Sequence, residues 1–174
     1  HRGHQQIIRR LTTGAYGHGI PAVVLTFDPH PGKLFGRGEI KLLTLPDERA
    51  ELLASFGVDI VITNHFDQDV ANTTAFDFMQ QLKSQLGLSH LVLGYDSTVG
   101  KNREGNITRL TEIGEELGYT VEVRPALSDE SGVISSTEIR KLIEVGNVTE
   151  ATRLMGHPYS LHGPVIHGDA RGRM

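Results

Sequence analysis

Four short apolar runs recur along this chain, and amphipathic stretches closed by glycine lie between them. The run at 21–27 (PAVVLTF) is continuously apolar, the pattern of a strand buried on both faces of a parallel sheet. Similar runs stand at 58–62, 90–93 and 119–123. The intervening stretches repeat apolar residues at helical spacing, as Ile7, Ile8 and Leu11 do within 5–14. Further helices are expected at 46–56, 75–86 and 107–117, with two shorter ones at 137–145 and 148–155. Gly57, Gly87 and Gly118 mark three of the stops. Thr44 with Asp47 three residues on reads as a capping-box variant, and Thr73 and Thr74 precede the 75–86 helix. This alternation predicts an α/β fold, a Rossmann-like doubly wound parallel sheet. Right-handed crossovers then collect the strand-to-helix loops, 28–31, 64–69, 95–105 and 125–136, on one edge of the sheet. From 159 the periodicity changes: 159–167 reads as a strand and 168–174 as a turn, the opening of a second, β-rich unit.

The chain has 174 residues, 38% of them hydrophobic and 22% charged, enough for one ordinary core and too few for two full domains. A net charge of −4 argues against a nucleic-acid partner. Cysteine is absent, which excludes disulfides and thiolate chemistry. No apolar run has the length of a membrane span and no signal peptide is visible, so a cytoplasmic location without membrane partners is expected. The sequence opens inside a motif rather than on Met, so a native start further upstream is expected. Oligomerisation leaves no readable pattern.

Two segments near opposite ends carry the chemistry. In His1-Arg2-Gly3-His4 the two histidines lie three apart and share a helix face. Gly3 has no side chain, so an anion can approach the backbone, and the first turn of a helix supplies free N–H groups and a positive dipole end. Taken alone, such a pair also suits a metal ligand, a helix cap or plain solvent exposure. In Ile134-Ser135-Ser136-Thr137-Glu138-Ile139-Arg140, three hydroxyls precede a helix and Arg140 stands one turn in, where its guanidinium can fork onto phosphate oxygens. One hydroxyl suffices for a cap; three exceed that need. Asp28-Pro29-His30-Pro31 brackets a histidine between prolines directly after a strand, a rigid turn at the sheet edge. The long polar loop 94–105 carries Gly94, Gly100 and Gly105. Neither a G-x-x-x-x-G-K-[ST] loop nor a strand-linked G-x-G-x-x-G occurs, against a P-loop enzyme and a nicotinamide dehydrogenase.

The pair H-x-G-H and I-S-S-T-x-I-R resembles the motifs of the nucleotidyltransferase superfamily. TFDPHP (26–31), LLTLPDERAELLASFGVD (42–59) and LGYDSTVGKNREGN (93–106) are similar to the FMN adenylyltransferase (FAD synthetase) module of the bacterial bifunctional riboflavin kinase/FAD synthetases. The tail GPVIHGDARGR (163–173) is similar to the opening of that family's kinase domain. The resemblance implies an adenylyltransferase domain over 1–157, lacking its first strand, and the truncated start of a riboflavin kinase β-barrel over 158–174. It implies ATP and FMN as substrates, Mg²⁺ accompanying ATP, and FAD as product. It further implies that His1, His4 and Arg140 are catalytic, with Gly3, Ser135, Ser136, Thr137 and Arg140 around the ATP phosphates. Asp28, His30, Gly94, Tyr95 and Asp96 would line the FMN and adenine side. The family pattern G-x-D-F-x-F-G has aromatics where this chain has Ser97 and Val99, and Lys101 and Arg103 follow as further phosphate candidates. Another superfamily member with a different phosphate acceptor, and a non-catalytic nucleotide- or flavin-binding module, are the alternatives.

Overall fold

A computed structural model of the chain describes residues 1–36, 40–161, 163–164 and 166–168. The first helix, α1 (Arg2–His18), runs longer at both ends than its apolar spacing predicts. The His1 ring closes its start, and Gly14 and Gly17 are carried inside it because Ala15 between them is buried. Gly19, in the left-handed region at φ 65°, ends it.

The strands β1 (Val23–Asp28) and β2 (Ile60–His65) pair in parallel, with Val23 opposite Ile60 and Asp28 opposite His65. A second parallel pair joins β3 (His90–Gly94) to β4 (Thr120–Arg124), with Gly94 opposite Arg124. These are the four apolar runs, their ends displaced by up to three residues. Of the expected doubly wound sheet with its first strand missing, the described residues show two separate parallel pairs in a mixed α/β fold. A continuous sheet needs a strand hydrogen-bonded to both pairs, and the described residues provide none. The strands are accordingly half-buried rather than sealed on both faces, and Ile60 is 46% exposed.

Helices fill the crossovers. After β1 come the single turn α2 (Pro31–Leu34) and α3 (Pro46–Ser55). The start of α3 is closed by Glu48, whose carboxylate accepts the Leu45 N–H at 2.7 Å, and not by the expected Thr44 and Asp47 pair. After β2 come α4 (Gln68–Asn72) and α5 (Ala75–Leu86), the latter capped by Thr74 accepting from the Asp77 N–H. A 3-10 turn (Lys101–Arg103) and α6 (Ile107–Leu117) lead into β4. Met79 of α5, Leu110 and Ile113 of α6 and the Tyr119 ring make one core under β3 and β4, and the Tyr119 hydroxyl donates to the Leu110 carbonyl.

Beyond β4 a short hairpin, β5 (Ser128–Asp129) with β6 (Gly132–Val133), leads into α7 (Ser136–Glu144) and α8 (Val148–Met155). Ile134, Ile139, Ala151, Leu154 and Met155 form a second core, against which Leu43, Leu127 and Tyr159 pack. The strand expected at 159–167 does not form among its described residues, where Tyr159 serves this helical core instead. Most of the expected turn at 168–174 lies outside the described residues.

Candidate functional site

The two phosphate-type segments meet. A methyl group built on Gly3 would lie 3.5 Å from the Ile134 carbonyl and 3.1 Å from the His1 ring, so the first turn of α1 abuts the residue that opens the turn into α7. His1 Nδ1 accepts the His4 N–H at 3.3 Å, which in the neutral ring leaves the proton on Nε2. The His1 and His4 rings stack, 4.0 Å apart and 20° from parallel. Two imidazoles on one face beside a helix N-terminus form a donor array for an anion.

His4 keeps an exposed edge, yet desolvation by its surroundings pushes its imidazolium down to about 4. The ring is then uncharged at neutral pH and donates one hydrogen bond. Because the folded value lies below the ordinary ~6.5, the unfolded chain binds the extra proton between the two. Stability through this group is complete above ~6.5 and falls as the pH drops toward 4. Titration of the His4 ring by NMR is expected to give a midpoint near 4, and a midpoint at ~6.5 would contradict this environment.

In α7 the three hydroxyls divide their work. Ser135 is the cap, its Oγ accepting the Glu138 N–H at 3.2 Å. Among the described residues, Ser136 and Thr137 have no side-chain hydrogen bond within the protein, so both hydroxyls remain available to a ligand. Arg140 is half-buried and donates through Nε to the Lys41 carbonyl at 2.6 Å. That bond fixes the guanidinium while leaving its paired Nη groups, the fork that grips phosphate. Sequence reasoning gave no sign of the 40–45 segment as the support of Arg140; a tie to a backbone carbonyl 99 residues away has no local signature.

The remaining expected residues stand at the carboxyl ends of strands. Asp28 ends β1 and is exposed, and His30 caps α2, its Nδ1 accepting the Gly32 N–H at 3.0 Å. Gly94 ends β3 in a close-packed spot: a methyl group there would meet the end of the Ile7 side chain of α1 at 3.2 Å and the Asp96 and Ser97 side chains at 3.5 Å. The loop that follows exposes Tyr95 and Asp96. Val99 is half-buried and packs against the core that holds Ala75, Met79 and Leu110. Arg103 donates through Nε to the Thr98 hydroxyl at 3.0 Å.

Aromatic surface comes from elsewhere. Phe66, just past β2, meets Phe27 of β1 edge-on at 5.2 Å and Phe35 beyond α2 at 6.2 Å, and Phe35 remains 60% exposed. This cluster lies beside the turn at His30. Its members are 8 to 39 residues apart, so the sequence showed them only as single phenylalanines near strand and helix ends.

Among the described residues, no group of three or more His, Asp or Glu stands close enough to hold a metal ion, and no helix is long and apolar enough to cross a membrane.

A family model described as FAD synthetase matches residues 1–138. The bifunctional riboflavin kinase/FMN adenylyltransferase of Listeria monocytogenes is 37% identical over 99% of the chain and 55% of its own length. That of Escherichia coli K12 is 33% identical over 99% of the chain and 56% of its own length. The chain thus spans about half the length of the curated relatives it matches. Among solved structures, one described as a macrolide-efflux protein from Streptococcus pneumoniae superposes with a TM-score of 0.86 at 32% identity, over 99% of this chain and 57% of that one.

Proposed function

Since the chain belongs to the FAD synthetase family, we propose that it transfers the adenylyl group of ATP to FMN, giving FAD and pyrophosphate. The observation that carries this reading is the abutment of Gly3 on Ile134, which sets two helix N-termini side by side with histidines on one and hydroxyls and an arginine on the other. A triphosphate laid across them meets imidazole donors at one end and a cationic fork at the other.

A phosphate oxygen of FMN attacks the α-phosphorus in line, the new P–O bond forms, and the bond from the α-phosphorus to the β-phosphate bridge breaks. His1 and His4 donate hydrogen bonds to the oxygens on which charge accumulates, and no covalent enzyme intermediate forms. Ser136, Thr137 and Arg140 hold the departing pyrophosphate, while Ser135 keeps the helix end closed around them. Gly3 admits the phosphates to the backbone of the first turn. Asp28, His30, Gly94, Tyr95 and Asp96 line the flavin and adenine side. The exposed Phe35 ring, backed by Phe66, offers an apolar face on which an isoalloxazine can stack, supplying what Ser97 and Val99 do not. The described residues offer no metal cage; Mg²⁺ arrives on the triphosphate as part of the substrate. Residues 1–157 then form the adenylyltransferase unit and 158–174 the beginning of a riboflavin kinase unit, in a bifunctional protein of the cytoplasm that also phosphorylates riboflavin.

The test offers the purified protein ATP, Mg²⁺ and FMN together with phosphopantetheine and nicotinate mononucleotide as competing acceptors, with products separated by chromatography. FAD and pyrophosphate are expected, and His4→Ala is expected to lower the rate roughly 10²- to 10³-fold. An AMP adduct on another acceptor would leave the phosphate half standing and remove the flavin half. Nucleotide binding without any product would leave a binding module.

A further inference from the structure

We propose that the open cavity between the outer face of α1 and the end of α8 is a second anion site, which takes a small molecule carrying a phosphate or diphosphate. Arg2, Gln5, Gln6, Arg9, Leu127 and Gly156 line about 430 Å³ of space there, with no carboxylate among them. Every other arginine of the described residues either donates to a carboxylate, hydroxyl or carbonyl of the protein or, as Arg124 does with Glu122 at 3.6 Å, forms an ion pair. Arg2 and Arg9 do neither, and both face this one cavity. Two guanidiniums left without protein acceptors, converging where no negative charge answers them, are an incomplete hydrogen-bonding set that an oxyanion completes.

The cavity is built rather than incidental. Residues 2, 5, 6 and 9 form one stripe of α1, with the arginines two turns, ~10 Å, apart and the two amides between them. Arg9 is steadied by the Phe56 ring, its guanidinium carbon 5.7 Å from the centroid, an arrangement that holds the plane without consuming an N–H. Gln5 donates to the Met155 carbonyl at 2.8 Å, fixing the neighbouring wall. Gly156, at φ 77°, lies so close that a methyl group on it would meet the Gln5 amide at 3.1 Å and the Arg2 stem at 3.2 Å. Leu127 gives an apolar floor for the rest of a ligand, and its carbonyl accepts the Ile134 N–H at 2.9 Å. The cavity therefore stands behind the turn that the proposed catalytic site uses, on the face of α1 away from the apolar stripe of Ile7, Ile8 and Leu11. It does not depend on adenylyl transfer: it would hold an anion whatever the first site catalyses.

Inorganic pyrophosphate is the probe, followed by backbone amide shifts in an NMR titration. Two groups of residues are expected to move, Gly3 and Ser136 at one site and Leu127 and Gly156 at the other. Arg9→Gln should raise the dissociation constant read at Leu127 and Gly156 roughly tenfold and leave the Gly3 and Ser136 midpoint within about twofold. His4→Ala should change only the latter. Arg2→Gln is the second variant, expected to act as Arg9→Gln does, with dispersed amide spectra establishing that each variant is folded. Unmoved Leu127 and Gly156 amides, a midpoint there that neither arginine variant alters, or loss of both responses together in His4→Ala would each overturn the proposal.

Discussion

Arg140→Ala is expected to lower kcat/KM for FAD formation by about 2–4 kcal/mol of transition-state stabilisation, roughly 30- to 900-fold. The guanidinium is half-buried, tied through Nε to the Lys41 carbonyl, and its paired Nη groups remain to grip charge that develops on the leaving pyrophosphate. Alanine removes both functions at once. Arg140→Lys separates them, because an ammonium keeps the charge and loses the planar fork. The lysine variant should recover only part of the rate, with the loss concentrated in kcat. Steady-state kinetics on the folded variants decides it: turnover at the wild-type level in Arg140→Ala removes Arg140 from the reaction.

Gly100→Ala is expected to destabilise the fold by about 2–5 kcal/mol, measured as a drop in the urea midpoint at unchanged slope. Two causes combine. The backbone at Gly100 sits at φ 77° and ψ 171°, a region essentially reserved for glycine, where a Cβ costs about 1–3 kcal/mol. The added methyl group would also lie 2.4 Å from the Ala75 nitrogen and 2.7 Å from its Cα, atoms that belong to the start of a helix and cannot swing aside. Gly118→Ala is the comparison: its φ is also positive, at 74°, but its ψ of 49° lies in the left-handed region that other residues can enter, and an added methyl group meets nothing within 4 Å, so its cost should stay near 1–2 kcal/mol. Equal costs for the two variants would show that the close packing of the 94–105 loop against α5 does not contribute.

What could be read in advance follows from the range of the interactions. Helices α5, α6 and α8 matched at their ends because caps are local: Thr74 and Gly87, Asn106 and Gly118, Asn147 and Gly156 all lie within a turn of what they close. The single turns α2 and α4 went unread, since His30 and Asp67 each hold only two or three N–H groups and leave no periodicity. The hairpin of β5 and β6 was equally hidden. It depends on Asp129, whose carboxylate, held down to about 2 by the Ser131 hydroxyl and N–H and by Arg153, is pinned to α8 24 residues away. The pairing of the strands was not legible, because an apolar run marks a strand and not which strand lies beside it. At the candidate site the phosphate segments were legible as motifs, and their meeting at Gly3 and Ile134 was implied by the resemblance alone. The support of Arg140 by Lys41 and the Phe27, Phe35 and Phe66 cluster were not legible, because each joins residues with no shared local pattern.

The most direct measurement of the central claim follows the two ends of ATP separately. The purified protein is incubated with FMN and Mg²⁺ plus ATP labelled at either the α- or the γ-phosphate, and the flavin and phosphate products are separated. The account predicts α-label in FAD and γ-label in pyrophosphate, in equal amounts. Label from the γ-position on the flavin, or α-label that never reaches it, would contradict adenylyl transfer to FMN.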